Sequence, residues 1–293
     1  MVWSFKKTDA LPEQQFSLWE NLLEKRTGIQ LAQAQHVLLQ TQVSIRMREL
    51  GIADYQQYFD LVKDELTGLA EWQVLVDRLV VKETSFFRHR PSLNLVKKAL
   101  EEKWDVSAGQ ERLAKTSASK DSFEIWSVGC STGEEPYAIA AIANEYFEGL
   151  GVAPYFGVTA VDISLPALSI ARKGVYSRRS LNLLEDGELE KYFVSSGKGQ
   201  YQVVDKIKKR VCFSQANILQ LERKPVQPMD VIFCQNVLIY FRRWRRREIL
   251  KQLVKHLKPG GILVIGLGEI TEWSHDGLKR MESSDVQAYR KVN

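Results

Sequence analysis

Residues Ser127–Ile139 read SVGCSTGEEPYAI, a glycine-bracketed turn between an apolar run, FEIWSV (123–128), and an amphipathic one. The stretch admits two readings. As G-x-S-x-G, Gly129–Gly133 matches the strand-to-helix elbow that presents a nucleophilic serine. As a glycine turn between a buried strand and a helix, it matches a nucleotide-cofactor loop. Ile139, Ile142, Ala143, Tyr146, Phe147 and Leu150 then recur at helical spacing, so the unit is strand, loop, helix.

The same alternation returns downstream. YFGVTAVD (155–162) precedes SLPALSIARKG (164–174), and MDVIFC (229–234) precedes RREILKQLVKHLKPGG (246–261), read as one helix leading into ILVIGLG (262–268). Repeated strand–helix units predict a doubly wound, mostly parallel α/β sheet of Rossmann-like type. Residues 174–214 break the rhythm with a helix-like segment ending in LEKYF and a hairpin expected over 195–213, so they are read as a small β insertion. Upstream, Phe16, Trp19, Leu22, Leu23, Ile45 and Leu50 keep helical spacing, with Gly28 and Gly51 as punctuation. The expected organisation is an all-helical N-terminal domain over 1–90 and the α/β domain over 91–293. The polar stretch DVSAGQERLAKTSASKDS (105–122) reads as a linker or surface loop.

With 293 residues, 44% of them hydrophobic, the chain can fill a sizeable core. The start, MVWSFKKTDALPEQQ, lacks an apolar signal region, and stretches such as GGILVIGLG fall short of a membrane span, so a cytoplasmic protein without membrane insertion is expected. Cys130, Cys212 and Cys234 lie far apart without metal-ligand spacing and read as reduced packing residues. The net charge of +5 is concentrated in FRRWRRRE (241–248). That run suits either a nucleic-acid surface or, with less demand on stacking aromatics, a solvated helix face.

The turn's own chemistry separates the readings. A hydrolase elbow at Ser131 needs an acid, a histidine and an oxyanion loop in order, and His256, inside a helical stripe, is a poor partner. A cofactor loop fits better, because Asp162 closes the second strand where an acid takes ribose hydroxyls. Glu134 and Glu135 stand at the helix start, where a pyrophosphate would otherwise sit. Their charge repels phosphate and suits a cationic, phosphate-free cofactor such as S-adenosylmethionine.

KETSFFR (82–88), WSVGCSTGEEPYAIA (126–140), VDISLPALSIARKGVY (161–176) and FCQNVLIYF (233–241) together resemble the successive motifs of the CheR-type chemoreceptor glutamate methyltransferases. The resemblance covers nearly the whole chain. It implies S-adenosylmethionine as cofactor, with S-adenosylhomocysteine as product, and methyl transfer to glutamate side chains of a methyl-accepting chemoreceptor, the implied partner. On the matching positions it implies that Lys82, Thr84, Arg88, Glu135, Asp162, Asn217, Ile218, Gln235 and Asn236 bind the cofactor. Arg88 and Tyr240 would hold the acceptor carboxylate, and Arg46 and Arg48 would face the receptor. Phe86 and Phe87 read as core.

The chain departs from the family pattern at Gln235, where an arginine is common, at Leu267 in Gly266-Leu267-Gly268-Glu269, and at Gln35 and Gln42, where basic residues stand in relatives. These departures point to a divergent branch, pilus-linked or otherwise specialised. NVLIY in place of a D/N-P-P-Y/F sequence argues against an amino-group methylase. A non-catalytic receptor or nucleotide-binding module of the same fold, and a nucleic-acid methyltransferase, are the alternatives.

Overall fold

The computed structural model describes residues 11–31, 35–104, 122–150, 154–223 and 227–292. Most of the polar 105–122 stretch and the first ten residues lie outside them. The chain divides into two compact units, one of residues 1–81 with 240–242, the other of 82–239 with 243–293.

Among its described residues the first unit carries four helices, α1 (Glu13–Thr27), α2 (His36–Leu50), α3 (Tyr55–Lys63) and α4 (Leu69–Leu79). Gly28 and Gly51, the two punctuating glycines, end α1 and α2 in the left-handed conformation, at φ 77° and 70°. There a side chain would cost strain. Asp54 caps α3, its carboxylate accepting from the Gln57 amide at 2.7 Å. Trp19, Leu23, Leu39, Val43, Tyr58 and Leu75 form the buried interior. Trp19 meets Phe59 edge-on at 5.0 Å. The short segment Tyr240–Arg242 belongs to this unit: Ile29 and Phe241 form an antiparallel bridge, and Arg242 pairs with Glu24 at 2.6 Å.

The second unit opens with Lys82–Phe87 and α5 (Arg90–Lys103), then builds a seven-stranded sheet. Its strands are β1 (Phe123–Val128), β2 (Phe156–Asp162), β6 (Val211–Gln215), β7 (Met229–Cys234), β8 (Leu257–Ile265), β9 (Leu278–Arg280) and β10 (Gln287–Lys291), in the order β6-β2-β1-β7-β8-β10-β9. The first five strands in that order pair in parallel, and only β8–β10 and β10–β9 are antiparallel. Helices α6 (Glu134–Leu150), α7 (Leu165–Lys173) and α10 (Arg243–Lys255) supply the crossovers. The sheet is doubly wound and mostly parallel, as the alternation predicted. Strand order reverses between β1 and β7, which places the ligand crevice of such folds at the carboxyl ends of these two strands.

Three local expectations are corrected. The last crossover helix stops at Lys255, and Leu257 is already in register with Met229, so KPGG is a bulge inside β8 rather than a helix end. The insertion is a three-stranded sheet of β3 (Val175–Ser177), β4 (Phe193–Gly197) and β5 (Gln200–Val203), with the short helices α8 (Glu188–Tyr192) and α9 (Asp205–Lys208) beside it. VCF, expected to close a hairpin, instead begins β6, which pairs in parallel with β2 from Val158↔Val211 to Asp162↔Gln215 and forms the sheet edge. At that edge Cys212 is exposed, so of the three free cysteines only Cys130 and Cys234 pack in the interior.

Candidate active site

The loop after β1 is shaped by a backbone clamp. The amides of Gly129 and Cys130 both donate to the Val161 carbonyl, at 2.8 and 3.0 Å, and so tie the turn to the end of β2. Gly129 has φ 76°, and a Cβ there would meet the Val237 side chain at 2.4 Å. Glycine is required both for conformation and for close approach of the loop after β7. Ser131 is also left-handed, at φ 50°. Its amide donates to Asp162 Oδ2 at 2.8 Å, while Oδ1 accepts from the Ser164 amide at 2.9 Å. One carboxylate thus joins the two strand ends on which the cofactor reading rests.

The turn is not a nucleophile elbow. Among the described residues Ser131 Oγ is buried without a hydrogen-bond partner, so none of them acts as a base on its proton. His256 follows the end of α10 and stands edge-on to Trp126 at 5.3 Å. What the turn offers instead is an orphan hydroxyl, a glycine cradle and a row of carboxylates.

Each carboxylate has a distinct setting. Glu134, 3% exposed, accepts from Thr132 Oγ1 at 2.6 Å, and burial raises its pKa. Glu135 accepts from Ser127 Oγ at 2.7 Å. Burial, with Glu269 adding, pushes its carboxyl up to about 7, against the Ser127 bond and the positive charge of Arg88. Burial also raises Asp162, against the amides of Ser164, Ser131 and Ile163 and the charge of Lys82. A cation placed among these groups would restore their ionised forms.

Lys82 and Arg88 therefore both reach this region by charge. Arg88, exposed, folds back to donate to the Glu83 carbonyl at 3.2 Å. Thr84 between them is half-buried. Phe86 and Phe87 are core: Phe86 meets Tyr176 and Phe193 edge-on at 4.8 and 4.9 Å, and Phe87 stacks on Tyr192.

The remaining positions sit at strand ends. Asn217 and Ile218 follow β6, beside β2, where the Ala216 amide donates to the Asp162 carbonyl at 2.9 Å. Asn217 Oδ1 also accepts from the Leu219 amide at 3.0 Å, an Asx turn that starts the next 3₁₀ segment. Gln235 and Asn236 follow β7. Gln235 is turned inward, donating to Ser92 Oγ at 2.8 Å, whereas Asn236, at φ 58°, is exposed. Tyr240 clusters with the helical unit.

Arg46 and Arg48 do not share a surface. Two residues apart on α2, they point to different sides of the helix. Arg46 is committed to Glu71, at 2.8 and 2.5 Å, and to Glu49, while Tyr58 donates to the same Glu71 at 2.7 Å. Arg48 is exposed and bonds its own helix, at the Ser44 carbonyl. The basic run on α10 is likewise occupied locally. Arg243 donates to Thr271, Arg245 pairs with Glu248, Arg246 donates to the Glu269 carbonyl at 2.6 Å and Arg247 to that of Glu272.

One residue of the site lies in Gly266–Glu269, a stretch that the sequence marks only for its departure at Leu267. Glu269, 3% exposed, accepts from the Gly266 amide at 2.7 Å and the Ile239 amide at 3.2 Å. It holds the loop after β7 against the end of β8. No local pattern marks a carboxylate that serves a backbone amide thirty residues away as well as one three residues away.

Comparison with known proteins agrees with this geometry. Residues 82–287 match the family model described as CheR methyltransferase, SAM binding domain. The chain belongs to the CheR methyltransferase family. Residues 14–80 match the companion all-alpha domain of CheR methyltransferases. The chemotaxis protein methyltransferase of Escherichia coli is 31% identical over 265 residues, covering 89% of this chain and 85% of that one. Its Salmonella typhimurium counterpart is 30% identical with the same coverage. Chemotaxis protein methyltransferase 1 of Pseudomonas aeruginosa is 29% identical over 94% of this chain and 97% of its own. The cofactor of this CheR chain is S-adenosylmethionine, and the orphan Ser131 hydroxyl, the glycine cradle and the carboxylates fit it.

Proposed function

We propose that this CheR methyltransferase esterifies glutamate side chains on the cytoplasmic domain of a methyl-accepting chemoreceptor, and that it works in the cytoplasm. Among the described residues no helix is long and apolar enough to cross a membrane. S-adenosylmethionine supplies an electrophilic methyl group on a sulfonium.

In this reading Asp162 accepts the ribose hydroxyls, Asn217 and Ile218 line the adenine pocket, and Glu135 faces the cationic end of the cofactor. Lys82 and Thr84 flank that site from the segment before α5, and Gln235 and Asn236 close it from the end of β7. Carrying the proposal is the arrangement at Glu135. A desolvated carboxyl pushed up to about 7 stands in the first turn of α6, within the field of Arg88. Such a pair places a cation beside one carboxylate and leaves Arg88 able to draw in a second, that of the acceptor.

A glutamate is already ionised at neutral pH, so its oxygen attacks without a general base. What the chain contributes is alignment and exclusion of water. Arg88 holds the acceptor by charge and Tyr240 orients it by one phenolic hydrogen bond. The relatives, named chemotaxis protein methyltransferases, support a protein acceptor over a nucleic acid.

The test is transfer of tritiated methyl to receptor-bearing membranes. Label released by mild base is expected, as methyl esters require. Base-stable label, or cofactor binding without transfer, would overturn the proposal.

A further inference from the structure

The segment carrying Arg88 and the loop after β7 are joined by three side chains that no motif singled out as a group. His89 is the N-cap of α5, and its Nδ1 accepts from the Ser92 amide at 3.3 Å. The same Nδ1 lies 2.8 Å from Ser92 Oγ. Ser92 is fully buried, and its Oγ lies 2.8 Å from Gln235 Nε2. Gln235 Nε2 also donates to the Ile265 carbonyl, at 3.3 Å, at the end of β8.

Donor bookkeeping fixes the direction of the chain. The Ile265 carbonyl can only accept, so the amide nitrogen of Gln235 faces it and the flipped amide is excluded. That nitrogen has no lone pair to offer, so Ser92 Oγ accepts from it. The Ser92 hydroxyl then gives its own proton to His89 Nδ1, which must be unprotonated because it also takes the Ser92 amide. Every atom of the relay has one consistent role, and it ends at two backbone positions, residue 89 next to Arg88 and residue 235 next to Asn236.

We infer that His89 and Ser92 are positioning residues for methyl transfer: through Gln235 they lock the Arg88 segment to the loop that ends β7, so that Arg88 meets cofactor and acceptor in one fixed place. An arginine at position 235, common in relatives, could only donate to Ser92 and would bring a charge. Glutamine makes the bonds to Ser92 and to the Ile265 carbonyl neutrally. The inference rests on the proposed role of Arg88.

A double-mutant cycle on the full chain tests it, with Ser92→Ala, Arg88→Ala and their combination. Calorimetric affinity for S-adenosylhomocysteine, single-turnover methyl transfer and melting temperature are read for each. Ser92→Ala is expected to weaken affinity about fivefold and slow transfer comparably, as loss of one hydrogen bond implies. It should add almost nothing in the Arg88→Ala background, because its effect passes through Arg88. His89→Ala should behave like Ser92→Ala, and His89→Asn, which restores a capping oxygen for the Ser92 amide, should recover affinity and rate together.

A Ser92→Ala protein with a lower melting temperature but unchanged affinity and rate would reduce the relay to a helix cap. Additive losses in the double variant would show that Ser92 acts independently of Arg88. Should Arg88→Ala itself retain wild-type affinity and rate, the role proposed for Arg88 falls and the positioning role with it. Failure of the positioning role alone leaves Arg88→Ala impaired and Ser92→Ala silent.

Discussion

Glu269 accepts the backbone N–H of Ile239 at 3.2 Å, so a buried carboxylate on the loop after β8 holds the loop after β7. Its other oxygen takes the Gly266 amide at 2.7 Å. Glu269→Gln keeps the shape but turns one acceptor into a donor facing N–H groups. The expected loss is about 2–3 kcal/mol of stability, seen as a melting temperature lowered by several degrees. Transfer should slow in the surviving folded protein, since Asn236 lies in the loop that is released. An unchanged melting temperature would remove Glu269 from this role.

Asp162 has two duties, since it bonds the Ser131 and Ser164 amides at 2.8 and 2.9 Å as well as standing at the proposed ribose position. Asp162→Ala is therefore expected to cost about 1–3 kcal/mol of stability in addition to cofactor affinity. Calorimetry with S-adenosylhomocysteine on the folded fraction should show a tenfold to hundredfold loss, roughly 1.4 to 2.7 kcal/mol. Wild-type affinity would mean that the ribose is held elsewhere.

Glu135 makes binding proton-linked. Its carboxyl is raised by burial to about 7, so the ligand-free protein binds a proton that the unfolded chain has lost. The stability Glu135 contributes is complete below its ordinary carboxylate range and is lost as pH rises through about 7. A cationic ligand favours the carboxylate and pulls the value back down. Affinity for S-adenosylhomocysteine, whose amino group keeps that charge, should rise with pH up to about 7, with proton release on binding. Titration calorimetry in buffers of different ionisation enthalpy measures this, and Glu135→Gln should abolish the released proton.

Ser131 is expected to matter little. Ser131→Ala removes one orphan hydroxyl, so affinity should fall by at most about tenfold, and the rate at saturating cofactor should hold. No esterase activity should be lost. Ser131→Gly relieves the φ of 50° and should raise stability by roughly 0.5–1 kcal/mol. A collapse of transfer in the alanine variant would restore a chemical role to the serine.

Arg88→Ala and Tyr240→Phe should differ in kind. Arg88 touches both binding and acceptor alignment in the proposed mechanism, so affinity and single-turnover rate should fall together. Tyr240→Phe removes one hydroxyl used mainly as the reacting groups align, so the loss, on the order of tenfold to a hundredfold, should fall on the rate alone. An unchanged single-turnover rate in Tyr240→Phe would place Tyr240 with the packing of the helical unit instead.

Much of this protein is written locally. Apolar spacing set strands at Phe123–Val128 and Met229–Cys234, and Gly28, Gly51 and Gly129 mark where the chain must turn left-handed. Such features are legible because a helix or strand declares its period within a few residues, and a positive φ excludes most side chains on the spot. The motifs at 82–88, 126–140, 161–176 and 233–241 carried the family and the cofactor in the same way.

Only the tertiary structure decided which groups meet. That Val211–Gln215 forms the sheet edge is not legible locally, because its partner, β2, is about fifty residues away and the pairing has no local signature. Arg46 and Arg48 read alike in sequence, yet helical geometry gives one to Glu71 and leaves the other exposed. Asp162 reaches Ser131, Glu269 reaches Ile239 and Ser92 reaches Gln235 across 31, 30 and 143 residues. Those bonds are set by the order of strands in the sheet and by the need to satisfy polar groups out of water, which composition and period do not encode.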